Sequence, residues 1–251
     1  MNPTPPPNPP NPPTGPPNPP NGSYGGFSPY ATGAYPSSPV KPVRGAAYAA
    51  MTALGLHALT LLVFGGAALW TLYLLGTAEI DEGLLDLHDA VITVLAVQGS
   101  AGFVLAAVTV IVWLWRARTN AEVISGSPQH WGRPWIIFGW VVPILNLFVP
   151  RRIVGDVWEA VAPSKGTALI NAWWTLWLVY LVGDQVAGRM DGESSLDAMR
   201  AQLQAFVLLA PVGIAAAVLA ILVVWRITRH QEQHADRIAQ AIAAPPPNPQ
   251  P

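Results

Sequence analysis

Few residues in this chain combine a reactive type with a useful spacing, and those few are scattered. His230 and His234 lie four apart, which would set two imidazoles on one helix face as metal ligands can be. No Glu, Asp or third His completes a recognised ligand set, so a wet polar helix is the preferred reading and no metal is expected. Glu79, Asp81, Glu82, Asp86 and Asp89 form an acidic run without Lys or Arg. With Gly83 as the turn glycine of a calcium loop, Ala78 and Ile80 would occupy the first two carboxylate positions. A solvated acidic loop over residues 76–89 is therefore expected. His57 stands alone in an apolar run and is expected to be a hydrogen-bonded contact between helices. Asp184 is an ionisable residue near the end of another apolar run, a functional candidate by default, although the nearby loop 188–200 lets it reach water. The chain has no cysteine, no His-Glu-x-x-His, no Gly-x-Ser-x-Gly and no phosphate-binding glycine loop. No nucleophile is paired with a base. The expectation is a protein that is not an enzyme, with no catalytic residue, metal or cofactor.

The stretch that promises a site is apolar and broken. Trp135 to Pro150 is 16 residues, roughly 24 Å of ideal helix against a hydrocarbon core of about 30 Å. Pro143 removes a backbone donor midway and crowds the preceding turn. Too short to cross, kinked in its middle and basic at both ends, residues 134–150 are predicted to enter a membrane and return as a re-entrant segment. Its freed N–H and C=O groups need protein or water around them, and the Asn146 side chain can donate and accept there. The candidate pocket or motif residues are Trp135, Gly139, Trp140, Pro143, Asn146, Pro150, Trp158 and Asp184. Asn146 is expected chiefly to knit the hairpin; the functional alternative is that Asn146, Trp140 and Asp184 line a small pocket open to the inner leaflet. Arg133, Arg151 and Arg152 are the candidate contacts for anionic lipid headgroups.

The elements that must position these residues read as those of an integral membrane protein. Apolar residues make up 51% of the chain and charged residues only 11%, against ~25% charged in soluble domains. Its 11 tryptophans suit a membrane–water interface. The formal net charge of −1 offers no bulk field for nucleic acid. The predicted fold is all-α, with four transmembrane helices over residues 46–75, 90–115, 168–186 and 205–225. Gly65 and Gly66 permit close approach in the first. Ala96, Gly99, Phe103, Ala106 and Val110 form a mostly small stripe on the second, and Ala210, Gly213, Ala217 and Ala220 another on the fourth, where Pro211 can kink the helix. A polar connection through Asn120, Glu122, Ser125 and Pro128 leads from the second span to the re-entrant segment.

Residues 151–162 are amphipathic. Ile153, Val154, Val157, Trp158 and Val161 share one face; Arg152, Asp156 and Glu159 share the other, with an Arg152–Asp156 ion pair expected. Such a helix is predicted to lie in the interface plane until Pro163 ends it. Residues 1–45 read as a disordered proline-rich cytoplasmic tail, since residues 1–42 hold 16 of the 27 prolines and have little to bury. Residues 226–251 read as a cytoplasmic helical tail ending in a second proline-rich stretch. No cleavable signal peptide is expected.

Orientation follows from Lys and Arg. With four spans and a re-entrant segment, Lys41, Arg44, Arg116, Arg118, Arg133, Arg151, Arg152, Lys165, Arg226, Arg229 and Arg237 fall on one side, and only Arg189 and Arg200 on the other. That split is 11 to 2; a full crossing by residues 135–150 would make it 7 to 6. The positive-inside rule prefers the first. Both termini are then cytoplasmic and the protein is multi-pass in the plasma membrane.

One ordered set of residues carries a family resemblance: Trp115-Arg116-Ala117-Arg118, Asn120-Ala121-Glu122, Trp135, Gly139-Trp140, Pro143, Asn146-Leu147, Pro150 and Trp158. From Trp115 onward the chain resembles the bacterial membrane proteins grouped as the domain of unknown function 4328 family, common in actinobacteria. Pro134 departs from the glycine expected before the tryptophan. The resemblance implies a multi-span membrane domain and transfers no catalytic residue. The expected function is non-enzymatic: organising contacts with the lipid bilayer, anionic headgroups, a small ligand, another copy or a partner membrane protein at the inner face. The alternative is a small transporter or channel component using the re-entrant segment and Asp184.

Overall fold

In a computed structural model of the chain, residues 40–77, 82–126, 129–162, 167–190 and 195–243 are described. The proline-rich tails, Glu79, Asp81, Pro128, Pro163 and Lys165 lie outside them, as do the side chains of Asp86 and Asp89. The described chain is all-helical: α1 (Arg44–Thr77), α2 (Glu82–Ser125), α3 (Trp135–Val141), α4 (Val149–Val161), α5 (Ala168–Ala187) and α6 (Leu196–Ala243), with a 3-10 turn at Leu145–Leu147.

Two helices are longer than the apolar pattern suggests. Residues 82–89, expected in a solvated loop, already belong to α2, because Leu-rich sequence with acids suits a helix N-terminus. Asn120 and Glu122, expected in a connection, lie in its last turns. Gly126 ends α2 with φ of 62°, its N–H donating to Glu122 O at 3.1 Å, the left-handed geometry glycine allows at no steric cost. Likewise α6 begins at Leu196, inside the expected loop 188–200, where the Ala198 N–H donates to the Ser195 hydroxyl at 3.1 Å and so caps the first turn. It then runs on through Pro211 for 48 residues.

Among the described residues three helices, α1, α2 and α6, are long and apolar enough to cross a membrane. Helix α5, expected as a span, has the length at 20 residues, but Trp173, Trp174, Trp177 and Tyr180 with Asn171 and Asp184 lower its hydropathy. The α3–α4 pair passes the same test only jointly, bent by 108° at its break. The chemistry of the break is local. Pro143 has no N–H and pushes the residue before it out of helical geometry; Val142 is extended at φ −76°, ψ 116°. Pro150, by contrast, occupies the first turn of α4, where its missing N–H costs nothing.

Helix α6 packs along α1 and α5, and α1 along α2. Where Gly65 faces α6, a Cβ would stand 2.8 Å from Ala210 Cβ, whereas Gly66 meets nothing within 4 Å. Gly65 alone of that pair permits the approach. Gly213, Ala217 and Ala220 of the predicted α6 stripe are buried, as is Ala106 on α2, while Ala96 is exposed. The tight core gathers at one end: Trp113 and Leu114 from α2, Ile153 and Val157 from α4, Ile170 from α5 and Ile227 from α6 are all essentially inaccessible.

Helix α4 therefore differs from its expectation. Ile153, Val154, Val157 and Trp158 are buried in that core, so its apolar face is covered by the bundle and not by lipid.

Candidate functional site

At the tightly packed end, polar groups are buried in pairs. Asn120 Oδ1 accepts from the Lys41 backbone N–H at 2.9 Å, and its Nδ2 donates to Lys41 O at 2.8 Å. Asn120 Nδ2 also reaches Gln231 Oε1 at 3.3 Å, while Gln231 Nε2 donates to Ala117 O at 2.7 Å. Trp113 Nε1 donates to Thr228 Oγ1 at 3.0 Å. These bonds tie the chain entering α1 to the end of α2 and the far half of α6. Arg118, 3% exposed, donates to Glu122 Oε1 at 3.2 Å and to Trp131 O, which fastens the connection before α3. Glu122 also receives Arg133 at 2.7 Å; that bond raises the Arg133 guanidinium above its ordinary value. Arg44 and Glu232 add an exposed ion pair at 2.6 Å.

The predicted motif residues build the hairpin. Gly139 lies against α4, where a Cβ would meet Val149 Cγ1 at 2.7 Å, so the fold-back needs glycine. Trp174 Nε1 donates to Leu147 O at 3.0 Å; it satisfies the broken backbone in the manner expected of Asn146, whose Oδ1 is buried without a partner among the described residues. The Trp135 ring meets Trp131 edge-on at 5.4 Å, and Trp158 meets His230 at 6.5 Å. His230 thus packs on a ring; among the described residues no group of three or more potential ligands could hold a metal.

Beside this end lies a cavity of about 110 Å³, partly open and almost wholly apolar, between α1, α2, α5 and α6. Leu54 and His57 reach it from α1, Phe103 and Trp113 from α2, Trp177 and Tyr180 from α5, and Ala216 from α6. Of the three residues that the functional alternative places in one pocket, Trp140 lines this cavity; Asn146 and Asp184 are not in the lining. His57 is 8% exposed. Contrary to expectation, neither of its ring nitrogens has a hydrogen-bond partner among the described residues, and neither do Trp140 Nε1 and Trp177 Nε1. Aromatic walls surround them: Phe103 stacks on Trp177 at 5.8 Å and 5°, and His57 meets Phe103 edge-on at 5.8 Å. Sequence reasoning missed Phe103 and Trp177 as a pair, because they lie on helices far apart in the chain. The only signal was that Phe103 interrupts a small-residue stripe.

A second recess, about 360 Å³ and polar, is lined by His130, Arg151, Arg152, Asp156, Glu159 and Thr167. Arg151 donates to Asn171 Oδ1 at 3.0 Å. The expected Arg152–Asp156 pair is absent among the described residues; His130 Nδ1 lies 3.4 Å from Asp156 Oδ1 instead, since α4 turns that carboxylate toward the chain before α3. Of the three predicted headgroup contacts, Arg133 is engaged by Glu122, Arg151 by Asn171, and Arg152 is exposed at the recess.

With this geometry in view, residues 76–229, more than half of the chain, match the family described as Domain of unknown function (DUF4328). The chain belongs to that family. The match takes in α2 through most of α6 and leaves nearly all of α1 outside. No curated protein and no solved structure matches the chain.

Proposed function

We propose that the chain is a non-catalytic, four-span membrane protein that holds a small apolar ligand between its helices on the inner side of the plasma membrane. The carrying observation is the partly open, almost wholly apolar cavity with aromatic walls between the helices, the usual form of a small-molecule site. Crossing by α5 is supported by its ends. Gln202 Nε2 donates to Ala187 O at 3.1 Å, and Arg200 Nη2 to Leu75 O at 3.0 Å, so α5 finishes where α1 finishes and α6 starts. Trp174, near the start of α5, bonds the hairpin instead. The re-entrant reading of α3–α4 is supported by its apolar tip, where Val141 is 72% and Ile144 74% exposed. Lys41, Arg44 and Arg118 gather at the Asn120 end and Arg200 at the other, the asymmetry of a cytoplasmic and an outer face.

The test uses an uncharged apolar probe, decylbenzene. Native mass spectrometry of purified protein should show one retained per chain, and Ala216→Phe, which fills the cavity, should lose it. No retention by the parent protein overturns the reading. Single cysteines at Arg152, Arg189 and Gln233 test the topology with an impermeant thiol reagent on intact cells: 152 and 233 should be protected and 189 labelled. A second reading, a small transporter component, is favoured by the bent α3–α4 pair, because broken helices are where such proteins bind substrate; it requires a vesicle flux that Asp184→Asn removes.

A further inference from the structure

The three crossing helices are covered unequally. In their apolar stretches 6% of residues are buried in α2, against 17% in α1 and 33% in α6. Lipid can meet valine and leucine, so this exposure alone asks for no partner. A glutamine is different. Ala90 to Trp115 of α2 holds no charged residue, and Gln98 stands eight residues inside that stretch, about 12 Å from its nearer end. Hydrocarbon offers a carboxamide at that depth no hydrogen-bond partner. Ser100 and Thr109 on the same helix donate to Ala96 O at 2.9 Å and to Leu105 O at 2.8 Å, so their hydroxyls are satisfied locally. The exposed Gln98 amide makes no hydrogen bond among the described residues, although it holds two donors and an acceptor.

Gln98 sits within a repeat. Val91, Val94, Gln98, Ala101, Leu105 and Val108 recur at alternating steps of three and four residues and are all exposed, the spacing of the a and d positions in a coiled-coil seam. In sequence Leu84 and Leu87 continue the same repeat, into the part of α2 that precedes the uncharged stretch. The seam is not the face that meets α1 or the cavity: a Cβ at Gly99 would stand 3.7 Å from Thr60 Cγ2, and Phe103 lines the cavity. Every copy crosses the membrane in the same sense, so the α2 helices of two copies meet in parallel. About a twofold axis each seam residue then faces its own counterpart, and a carboxamide is its own hydrogen-bond complement. We propose that the chain pairs with a second copy through this face of α2, with the two Gln98 amides hydrogen-bonded to each other across the axis. A single polar residue at an a position sets the register and the number of helices, and a polar side chain holds helices together in lipid. The pairing is independent of what the cavity holds.

The experiment uses the full chain, which has no native cysteine, in liposomes at high lipid dilution. Ala101→Cys lies on the seam; Ser100→Cys is exposed on the same helix one residue away and off it. Oxidation with copper phenanthroline should link Ala101→Cys into a product of two chains and leave Ser100→Cys single. Dimer affinity is read from single-molecule photobleaching across a series of lipid dilutions. Gln98→Leu should weaken it about three- to thirtyfold, the loss of one polar contact between helices, and Gln98→Asn, which keeps the carboxamide, should weaken it less. The melting point of Gln98→Leu at a dilution where both proteins are single should match that of the parent, which separates lost pairing from lost folding. A parent chain that stays single at every dilution overturns the proposal. Equal linking at 100 and 101, or linking at 100 alone, places the contact on another face and overturns it too. Gln98→Leu pairing as tightly as the parent overturns the amide lock.

Discussion

Two regions a few turns apart treat buried polar groups in opposite ways. Around Asn120, side-chain amides and backbone groups from three parts of the chain satisfy one another, although a terminal nitrogen of Arg118 has no partner among the described residues. Around His57, four ring nitrogens on three side chains are buried and none has a partner among the described residues. Leaving a buried donor unmade costs about 1–3 kcal/mol, more than a typical made bond contributes. The first region is thus built to hold the fold, and the second bears a cost that the fold leaves unrelieved. The difference lies in hydrogen-bond completion.

The comparison breaks most readily at the polar end. Asn120→Ala removes three bonds and orphans the Lys41 N–H and the Gln231 amide oxygen, so stability should fall by about 2–4 kcal/mol, measured by reversible unfolding in detergent. A loss below about 1 kcal/mol would mean that the network is decorative. Next in size is Gly139→Val, which sets branched carbon against Val149 and should cost about 1–3 kcal/mol through overpacking. Its thermal midpoint should drop, with the α3–α4 hairpin showing the earliest loss of hydrogen-exchange protection.

The cavity should answer with the opposite sign. His57→Leu replaces an unpartnered buried imidazole by an apolar group of comparable size, and the empty protein should gain about 1 kcal/mol. A Ser, Thr or Cys in its place tests nothing, since each brings its own polar atom. If the leucine variant is destabilised in ligand-free protein, His57 has a partner in solution and the contrast between the two regions disappears.

Much of the fold was legible in the chain before its structure. The apolar runs marked α1, α2 and α6 because a membrane core demands about twenty uninterrupted apolar residues, and Pro143 marked the break because proline acts through its own ring and missing donor. Helix ends were less legible. Residues 120–125 looked like a connection because Asn120, Glu122 and Ser125 are polar, yet that polarity is the clamp: Asn120 is buried and bonded to residues 79 and 111 positions away. Partners so distant have no periodicity to betray them. The same holds for the cavity, where Trp140 was anticipated from its place near the break, whereas Phe103, Trp177 and Ala216 meet only once α2, α5 and α6 are packed. Asp184 drew attention by its type alone, and type does not say which way a helix turns.

The smallest expected effect concerns the polar recess and sharpens the comparison at its edge. Arg118 and Arg152 are both arginines near the hairpin, but Arg118 is enclosed and bonded to Glu122 and Trp131, whereas Arg152 is exposed on α4 beside Arg151 and His130. An exposed side chain with no ion pair among the described residues adds little to folding, so Arg152→Ala should change stability by no more than about 0.5 kcal/mol. Its cation near a membrane surface should nonetheless attract an anionic headgroup by about 1 kcal/mol. Retention of phosphatidylglycerol by the purified variant, counted by native mass spectrometry, should therefore fall several-fold while its melting point stays put. If the melting point falls and lipid retention does not, Arg152 belongs with Arg118 to the machinery of the fold, and the recess has no claim on the headgroup.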